Sequence, residues 1–172
     1  MYEHVEEELG RTLTLHDVIA REFETVRAPV AEVAAWVAEN AQVRPGFREL
    51  VAELRPRIVS SGFHELIEPV LARERVEVEV WANRLDPRPS GWRVRFRDEG
   101  TCRACDEACK RGSLPSGATV VFVGDGYSDR CAALASDRVF ARDGLARYLD
   151  ERGVAYEPFT DFVALRRALR GA

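Results

Sequence analysis

Two aspartates directly follow an apolar segment in ATVVFVGDGYSD. Asp125 and Asp129 lie four positions apart, and Gly124 and Gly126 flank the first of them. Two carboxylates so close repel each other unless a cation is present, and a few hard oxygen ligands suit Mg²⁺ that keeps part of its water shell. Capping of the next helix by Asp129 would explain one acid but neither Asp125 nor the glycines. We therefore interpret the pair as a magnesium site.

A second candidate group lies in RIVSSGF, where Ser60, Ser61 and Gly62 precede a helical pattern. The free N–H groups and the dipole at a helix start attract an anion, although a simple cap and turn would use the same residues. Lys110 is the only lysine in a chain whose other basic residues are all arginine. Its compact ammonium suits the neutralisation of phosphate. We interpret these residues as candidate phosphate ligands.

The elements that must position these residues follow from the apolar periodicity. Helices are predicted from Thr14, from Pro29 and after Gly46, and VEEEL near the N-terminus also has helical spacing. Toward the C-terminus, the strands ATVVFV, SDRVFA and VAYEP alternate with helical segments, which predicts an α/β fold with a parallel sheet and helices on both faces. The apolar run ATVVFV is typical of a strand buried on both faces, with ligands beyond its carboxyl end.

Composition and charge exclude several classes of function. The chain has 25 basic and 29 acidic residues, and the two signs are interspersed, which argues against nucleic acid as a partner. Trp36, Trp81 and Trp92 are interpreted as packing residues rather than a base-stacking surface. No apolar run is long enough to span a membrane, and the N-terminus does not resemble a signal peptide. A cytoplasmic protein without membrane contact is expected.

Cys102, Cys105 and Cys109 have spacings that a zinc site could use, but a fourth ligand is not local. Cys131 is interpreted as a small buried apolar residue. A structural zinc, a labile disulfide and free thiols remain open, with free thiols favoured in a reducing compartment.

The motifs VRPGF, IVSSGF, a lysine, VFVGDGYSD and VFARDGLARYLDERGV occur in the order seen in one known family. From about residue 43 to its end, the chain resembles the haloacid dehalogenase superfamily of phosphatases, closest to the phosphoserine phosphatase branch. The resemblance implies that Ser60, with Ser61 and the Gly62 backbone, binds the transferred phosphoryl group. It also implies that Lys110 stabilises the negative charge on the phosphoryl oxygens.

The same resemblance implies that Asp125 ligates Mg²⁺ and that Asp129 ligates or supports it. The implied fold is a Rossmann-like parallel sheet in residues 43–172, with a helical cap in residues 1–42 and a hairpin near 76–98. The implied reaction is hydrolysis of a small phosphorylated metabolite through an aspartyl-phosphate. Substrate identity depends on cap residues that periodicity does not identify.

One family feature is absent from the sequence. Family members begin with a central strand that ends in Asp-x-Asp and supplies the nucleophile, whereas the only aspartate here before residue 86 is Asp17, within the helical pattern LHDVIA. Two explanations compete. Either Met1 is an internal methionine of a longer protein, which we prefer, or the chain is a non-catalytic relative that binds phosphate and metal.

In both cases the chain as written is expected to be inactive. Without the central strand, exposed strand edges would favour self-association, so a homodimer is also expected. A zinc-braced interaction module is a more distant third alternative.

Overall fold

The structure is a computed structural model that describes residues 12–98 and 100–171. It divides into two compact units, one made of the chain up to Gln42 with Arg57–Gly100, the other of Val43–Pro56 with the chain from Thr101 onward. The predicted helix VEEEL lies outside the described residues. The proposed boundary between a cap in 1–42 and a core in 43–172 stays a prediction. Among the helices of the described residues, none is both long and apolar enough to cross a membrane.

The helices and strands are numbered in chain order. The helices are α1 (Leu15–Glu24), α2 (Val30–Asn40), α3 (Phe47–Leu54), α4 (His64–Arg73), α5 (Arg130–Ala133), α6 (Asp143–Asp150) and α7 (Phe162–Arg170). The strands are β1 (Arg57–Phe63), β2 (Glu79–Asp86), β3 (Arg93–Arg95), β4 (Val121–Gly124), β5 (Arg138–Ala141) and β6 (Glu157–Pro158). Single 3₁₀ turns cover Lys110–Ser113 and Tyr127–Asp129.

The first unit contains α1, α2 and α4 with a sheet in the order β1-β2-β3. Helix α1 begins where predicted, because the Thr14 hydroxyl accepts the Asp17 amide at 3.1 Å and the Asp17 carboxylate accepts the Thr14 amide at 3.0 Å. Strand β1 runs parallel to β2, and β2 is antiparallel to β3. The predicted hairpin is therefore confirmed.

The tryptophans divide between core and surface. Trp92 is 2% exposed within an apolar cluster of the first unit, and its indole N–H donates to the Ala28 carbonyl at 2.9 Å. Trp36 on α2 is 64% exposed, so its interpretation as a packing residue is wrong. The helical period of α2 places Trp36 on the face that its neighbours do not cover.

The second unit holds the predicted parallel sheet, in the order β4-β5-β6. Alternate residues of β5 point to opposite faces. Val139 and Ala141 pack against Leu145 of α6, whereas Phe140 packs with Leu165 of α7 in a second cluster. Helices therefore cover both faces of this sheet, and the α/β fold class is confirmed.

The prediction that the apolar run is buried on both faces is wrong. Val121 and Val123 of β4 are 43% and 36% exposed. Phe122 packs against the cluster on the α6 face, but the helices on the opposite face cover Phe140 of β5 and leave the two valines open. Among the described residues, β4 pairs only with β5, so no second neighbouring strand shields it either.

An exposed ion-pair cluster connects α3 and α7 in the second unit. Glu53 accepts from Arg170 at 2.7 Å and from Arg166 at 2.9 Å, and these hydrogen bonds lower the pKa of Glu53 from 4.5 to about 2. A carboxylate with a lowered folded-state pKa contributes stability above its unfolded pKa and loses that contribution as the pH falls toward the folded value.

We therefore expect the unfolding temperature to fall between about pH 5 and pH 2, partly through protonation of Glu53. Glu53→Gln should flatten this decline in thermal unfolding scans, because glutamine does not titrate. Glu49→Gln, on an exposed residue of the same helix, is the matched control and should keep the wild-type pH profile. An unchanged profile in the Glu53 variant would contradict the assignment.

Candidate active site

A buried ion pair forms the centre of the candidate site in the second unit. Lys110 begins a 3₁₀ turn, and Asp129 ends the 3₁₀ turn that follows the β4 loop. The Lys110 Nζ lies 2.6 Å from Asp129 Oδ1, and the two side chains are 14% and 4% exposed. The only lysine of the chain is thus paired with the second of the two predicted metal-site aspartates.

The Asp129 carboxylate also organises the loop beyond β4. Its Oδ2 atom accepts the backbone N–H groups of Asp125 and Gly126, each at 2.9 Å. A Cβ atom on Gly124 would lie 2.7 Å from Asp129 Cγ, so glycine is required where the carboxylate packs against the strand end. No atom of the described residues lies within 4 Å of the corresponding position on Gly126. Close packing against the Asp129 side chain is therefore found at Gly124 among these two glycines.

Asp125 lies at the carboxyl end of β4 with an exposed side chain. Its backbone carbonyl accepts the Leu145 amide at 2.9 Å, which connects the loop to the start of α6. Among the described residues, no hydrogen-bond donor contacts its carboxylate. The side chain is therefore available as a hard oxygen ligand, and Mg²⁺ fits such a donor because it retains several waters.

The serine segment belongs to the first unit and forms a bulge in β1. Val59 pairs with Trp81 and Phe63 pairs with Asn83, so more residues of β1 than of β2 lie between the two pairs. Inside the bulge, the Ser60 hydroxyl accepts the Gly62 amide at 3.0 Å.

Two further features shape this segment. The buried Asn83 side chain donates to the Ser61 carbonyl at 2.9 Å and accepts the Arg97 amide at 2.9 Å, which holds the bulge in place. Helix α4 begins directly after the bulge without a side-chain cap on its first N–H groups. Uncapped N–H groups at a helix start are available to an anion.

Residues 7–134 match the family model of the haloacid dehalogenase-like hydrolases. The chain belongs to this family. The resemblance drawn from the sequence motifs is therefore confirmed.

The named relatives of this chain include phosphatases. The chain is 29% identical to the bifunctional enzyme MtnB/MtnX of Bacillus licheniformis over 94% of its own length and 40% of that protein. It is 30% identical to the 2-hydroxy-3-keto-5-methylthiopentenyl-1-phosphate phosphatase of Exiguobacterium sibiricum, over 74% of its length and 63% of the relative. The enzyme of that name from Microcystis aeruginosa is 29% identical, with 93% of the chain and 80% of the relative aligned. The chain thus spans less than two thirds of the first two relatives.

A solved structure shows the same fold. The phosphoserine phosphatase from T. onnurineus, crystallised with NDSB-201, superimposes with a TM-score of 0.63 over 95% of this chain and 77% of that chain, at 20% identity. At this identity the likeness concerns the fold, and it supports the Rossmann-like parallel sheet inferred from the sequence.

Sequence reasoning missed three residues with contacts near the candidate residues, one in the first unit and two in the second. Asn83 gave no signal, since an asparagine within a strand pattern has no distinctive spacing. Tyr127 donates its hydroxyl to Glu107 at 2.8 Å, and burial together with this carboxylate raises the pKa of Tyr127 to about 12. Cys131 follows Asp129 by two residues, and Cys109 precedes Lys110 directly, so an expected contact between Lys110 and Asp129 is the sequence signal that places Cys131 near Cys109.

Proposed function

We propose that this hydrolase is a Mg²⁺-dependent phosphatase that acts on a small phosphorylated metabolite. The observation that carries the proposal is the Lys110–Asp129 pair together with the exposed carboxylate of Asp125, which no hydrogen-bond donor among the described residues contacts. Phosphoryl transfer is catalysed mainly by positioning and by stabilisation of charge on the phosphoryl oxygens. A fixed ammonium next to a hard-cation ligand supplies both requirements.

Lys110 binds the phosphoryl group as a point charge. One N–H of its ammonium is directed at Asp129, and the remaining donors are available to phosphoryl oxygens. Asp129 holds the ammonium in place, and because its oxygens already accept Lys110 and two backbone amides, its role is support. Asp125 would hold Mg²⁺, which supplies Lewis-acid neutralisation of a phosphoryl oxygen when bound.

Ser60, Ser61 and Gly62 are proposed phosphoryl ligands by the family resemblance. The start of α4 supports this role, because its first N–H groups have no side-chain cap and directly follow the serine bulge in β1. The tie from Asn83 to the Ser61 carbonyl keeps this arrangement preorganised.

Residues 1–172 contain no Asp-x-Asp motif. In the family, the first aspartate of this motif is the nucleophile, and covalent phosphoryl transfer requires a nucleophile. We therefore propose that these residues alone bind Mg²⁺ and phosphate without turnover. The phosphatase names of the relatives favour catalysis in a form that includes the motif over a purely non-catalytic binding role.

Binding of Mg²⁺ to the chain of residues 1–172 tests the proposal that Asp125 is a metal ligand. Titration with MgCl₂ should raise the unfolding temperature of the wild-type chain, and Asp125→Asn should remove this effect. Glu151→Gln, an exposed carboxylate in the same unit, is the matched control and should leave it intact. Equal stabilisation of the wild type and the Asp125 variant would contradict the proposal.

Turnover tests the catalytic part. The chain of residues 1–172 should release no phosphate from p-nitrophenyl phosphate or from a panel of phosphorylated metabolites. If the upstream DNA encodes an in-frame Asp-x-Asp strand, the extended protein should hydrolyse a member of the panel, and replacing the first aspartate of that motif by asparagine should abolish activity. Mg²⁺-dependent turnover by residues 1–172 would show that the Asp-x-Asp motif is not required. Absence of turnover by an extended chain would favour the non-catalytic alternative.

A further inference from the structure

The four cysteines of the chain converge at one place in the second unit. The Sγ atoms of Cys102, Cys105, Cys109 and Cys131 all lie within 4.8 Å of one another. The Cys102 and Cys131 sulfurs are 3.8 Å apart, although 29 positions separate these residues in the sequence. Cys131 is buried, as expected, but its sulfur faces the other three rather than an apolar neighbourhood alone.

This arrangement has the dimensions of a tetrahedral thiolate site. Zinc binds cysteine sulfur at about 2.3 Å, and a regular tetrahedron of that radius places its sulfurs about 3.8 Å apart. The Cys102 and Cys131 sulfurs have this separation, and the other sulfur pairs lie at most 1 Å beyond it. A disulfide would join only two sulfurs at about 2.05 Å and leave the convergence of the others unexplained.

The loop around the first three cysteines is shaped for metal binding. The amides of Cys105 and Asp106 donate to the Cys102 carbonyl at 3.2 and 2.8 Å, which folds the chain into a tight turn. Within this turn, the Ala104 amide donates to Cys102 Sγ at 3.5 Å. Amide hydrogen bonds to sulfur orient thiolate ligands and stabilise their charge.

We propose that Cys102, Cys105, Cys109 and Cys131 bind a structural zinc ion. The four thiols lose their protons to solvent on binding, and four thiolates complete a closed coordination sphere without a water. A closed sphere of this kind braces structure and does no chemistry. The site is separate from the phosphatase proposal and stands whether or not the enzyme turns over.

The position of the site allows the ion to connect the segment that carries Lys110 to the segment that carries Asp129. Cys109 directly precedes Lys110, and Cys131 follows Asp129 by two residues on the next helix. The zinc ion therefore joins the two segments that carry the buried ion pair. The hydrogen bond from Tyr127 to Glu107 forms a second connection between the same two segments. Zinc acts here as a cross-link that holds Lys110 against Asp129.

Metal content of the full chain tests the proposal. We expect protein expressed with zinc, and purified with a reductant and without a chelator, to contain about one zinc ion per chain. Inductively coupled plasma mass spectrometry measures this content. Replacement by Co²⁺ should give the strong visible bands of tetrahedral thiolate coordination. Competition with a fluorescent zinc chelator should show that Cys105→Ser and Cys131→Ser each raise the zinc dissociation constant at least about tenfold.

Arg103→Ser, on an exposed residue of the same loop, is the matched control and should bind zinc as the wild type does. Cys105 is exposed, so its variant decides the matter if the buried Cys131 variant does not fold. A metal-free wild type that stays metal-free after incubation with zinc would overturn the proposal. A disulfide that persists after purification under reductant would also overturn the proposal. It would be detected as a mass lower than that of the reduced chain by two hydrogen atoms.

Discussion

Replacement of Lys110 by methionine should lower the free energy of unfolding by about 3–5 kcal/mol. Methionine keeps most of the length of the lysine side chain and removes its charge. The Asp129 side chain, 4% exposed, would then lose the cation that pairs with it, and removal of one partner from a buried ion pair is strongly destabilising. In a catalytically competent form, loss of the ammonium should also lower kcat by about 10²–10³.

Denaturant unfolding of a small set of variants tests this expectation. Asp129→Asn alone should also destabilise, because a neutral amide is a weaker acceptor for Lys110 and for the backbone amides of Asp125 and Gly126. The double variant should lose less stability than the sum of the single variants, since each change removes the same pair. Arg111→Met, on the exposed neighbour of Lys110, is the control and should change stability by less than about 0.5 kcal/mol. Additive effects would show that the pair is not coupled.

Gly124→Ala should disturb the same site from the strand side. The added Cβ would lie 2.7 Å from Asp129 Cγ and 2.8 Å from Oδ2, so the carboxylate must move away from the two amides and from Lys110. Overpacking of this kind costs about 1–3 kcal/mol. A displacement near 1 Å in a catalytic group costs about 10²-fold in rate, so the activity of a competent form should fall by that factor.

Gly126→Ala is the matched control, because its added methyl group would have no atom within 4 Å in the part of the chain that the structure describes. That substitution should leave stability unchanged or raise it by up to about 1 kcal/mol through the unfolded state. Thermal unfolding with and without MgCl₂ compares the two variants directly. Equal behaviour of the two alanine variants would show that close packing of Asp129 on the strand end is not required.

Local pattern alone was sufficient for most elements and for part of the site. The Thr14 and Pro29 starts were predicted correctly, as was the hairpin formed by β2 and β3, because capping, periodicity and turn residues act within a few positions. The placement of Asp125 beyond a strand end also followed from the sequence, since a strand followed by a glycine-rich turn fixes that position locally. Lys110 was singled out by composition, as the only lysine among arginines.

The tertiary structure decided which side chains meet and which stay exposed. Val121 and Trp36 carry exposed apolar side chains, and periodicity could not show this because burial depends on distant segments. The sequence left open whether Asp129 ligates metal or supports it, and only the contacts with Lys110 and two backbone amides favour support. Cys131 lies close to three cysteines that are more than 20 positions away in the sequence, because the chain folds back on itself. The spacing of the cysteines along the sequence does not show this contact.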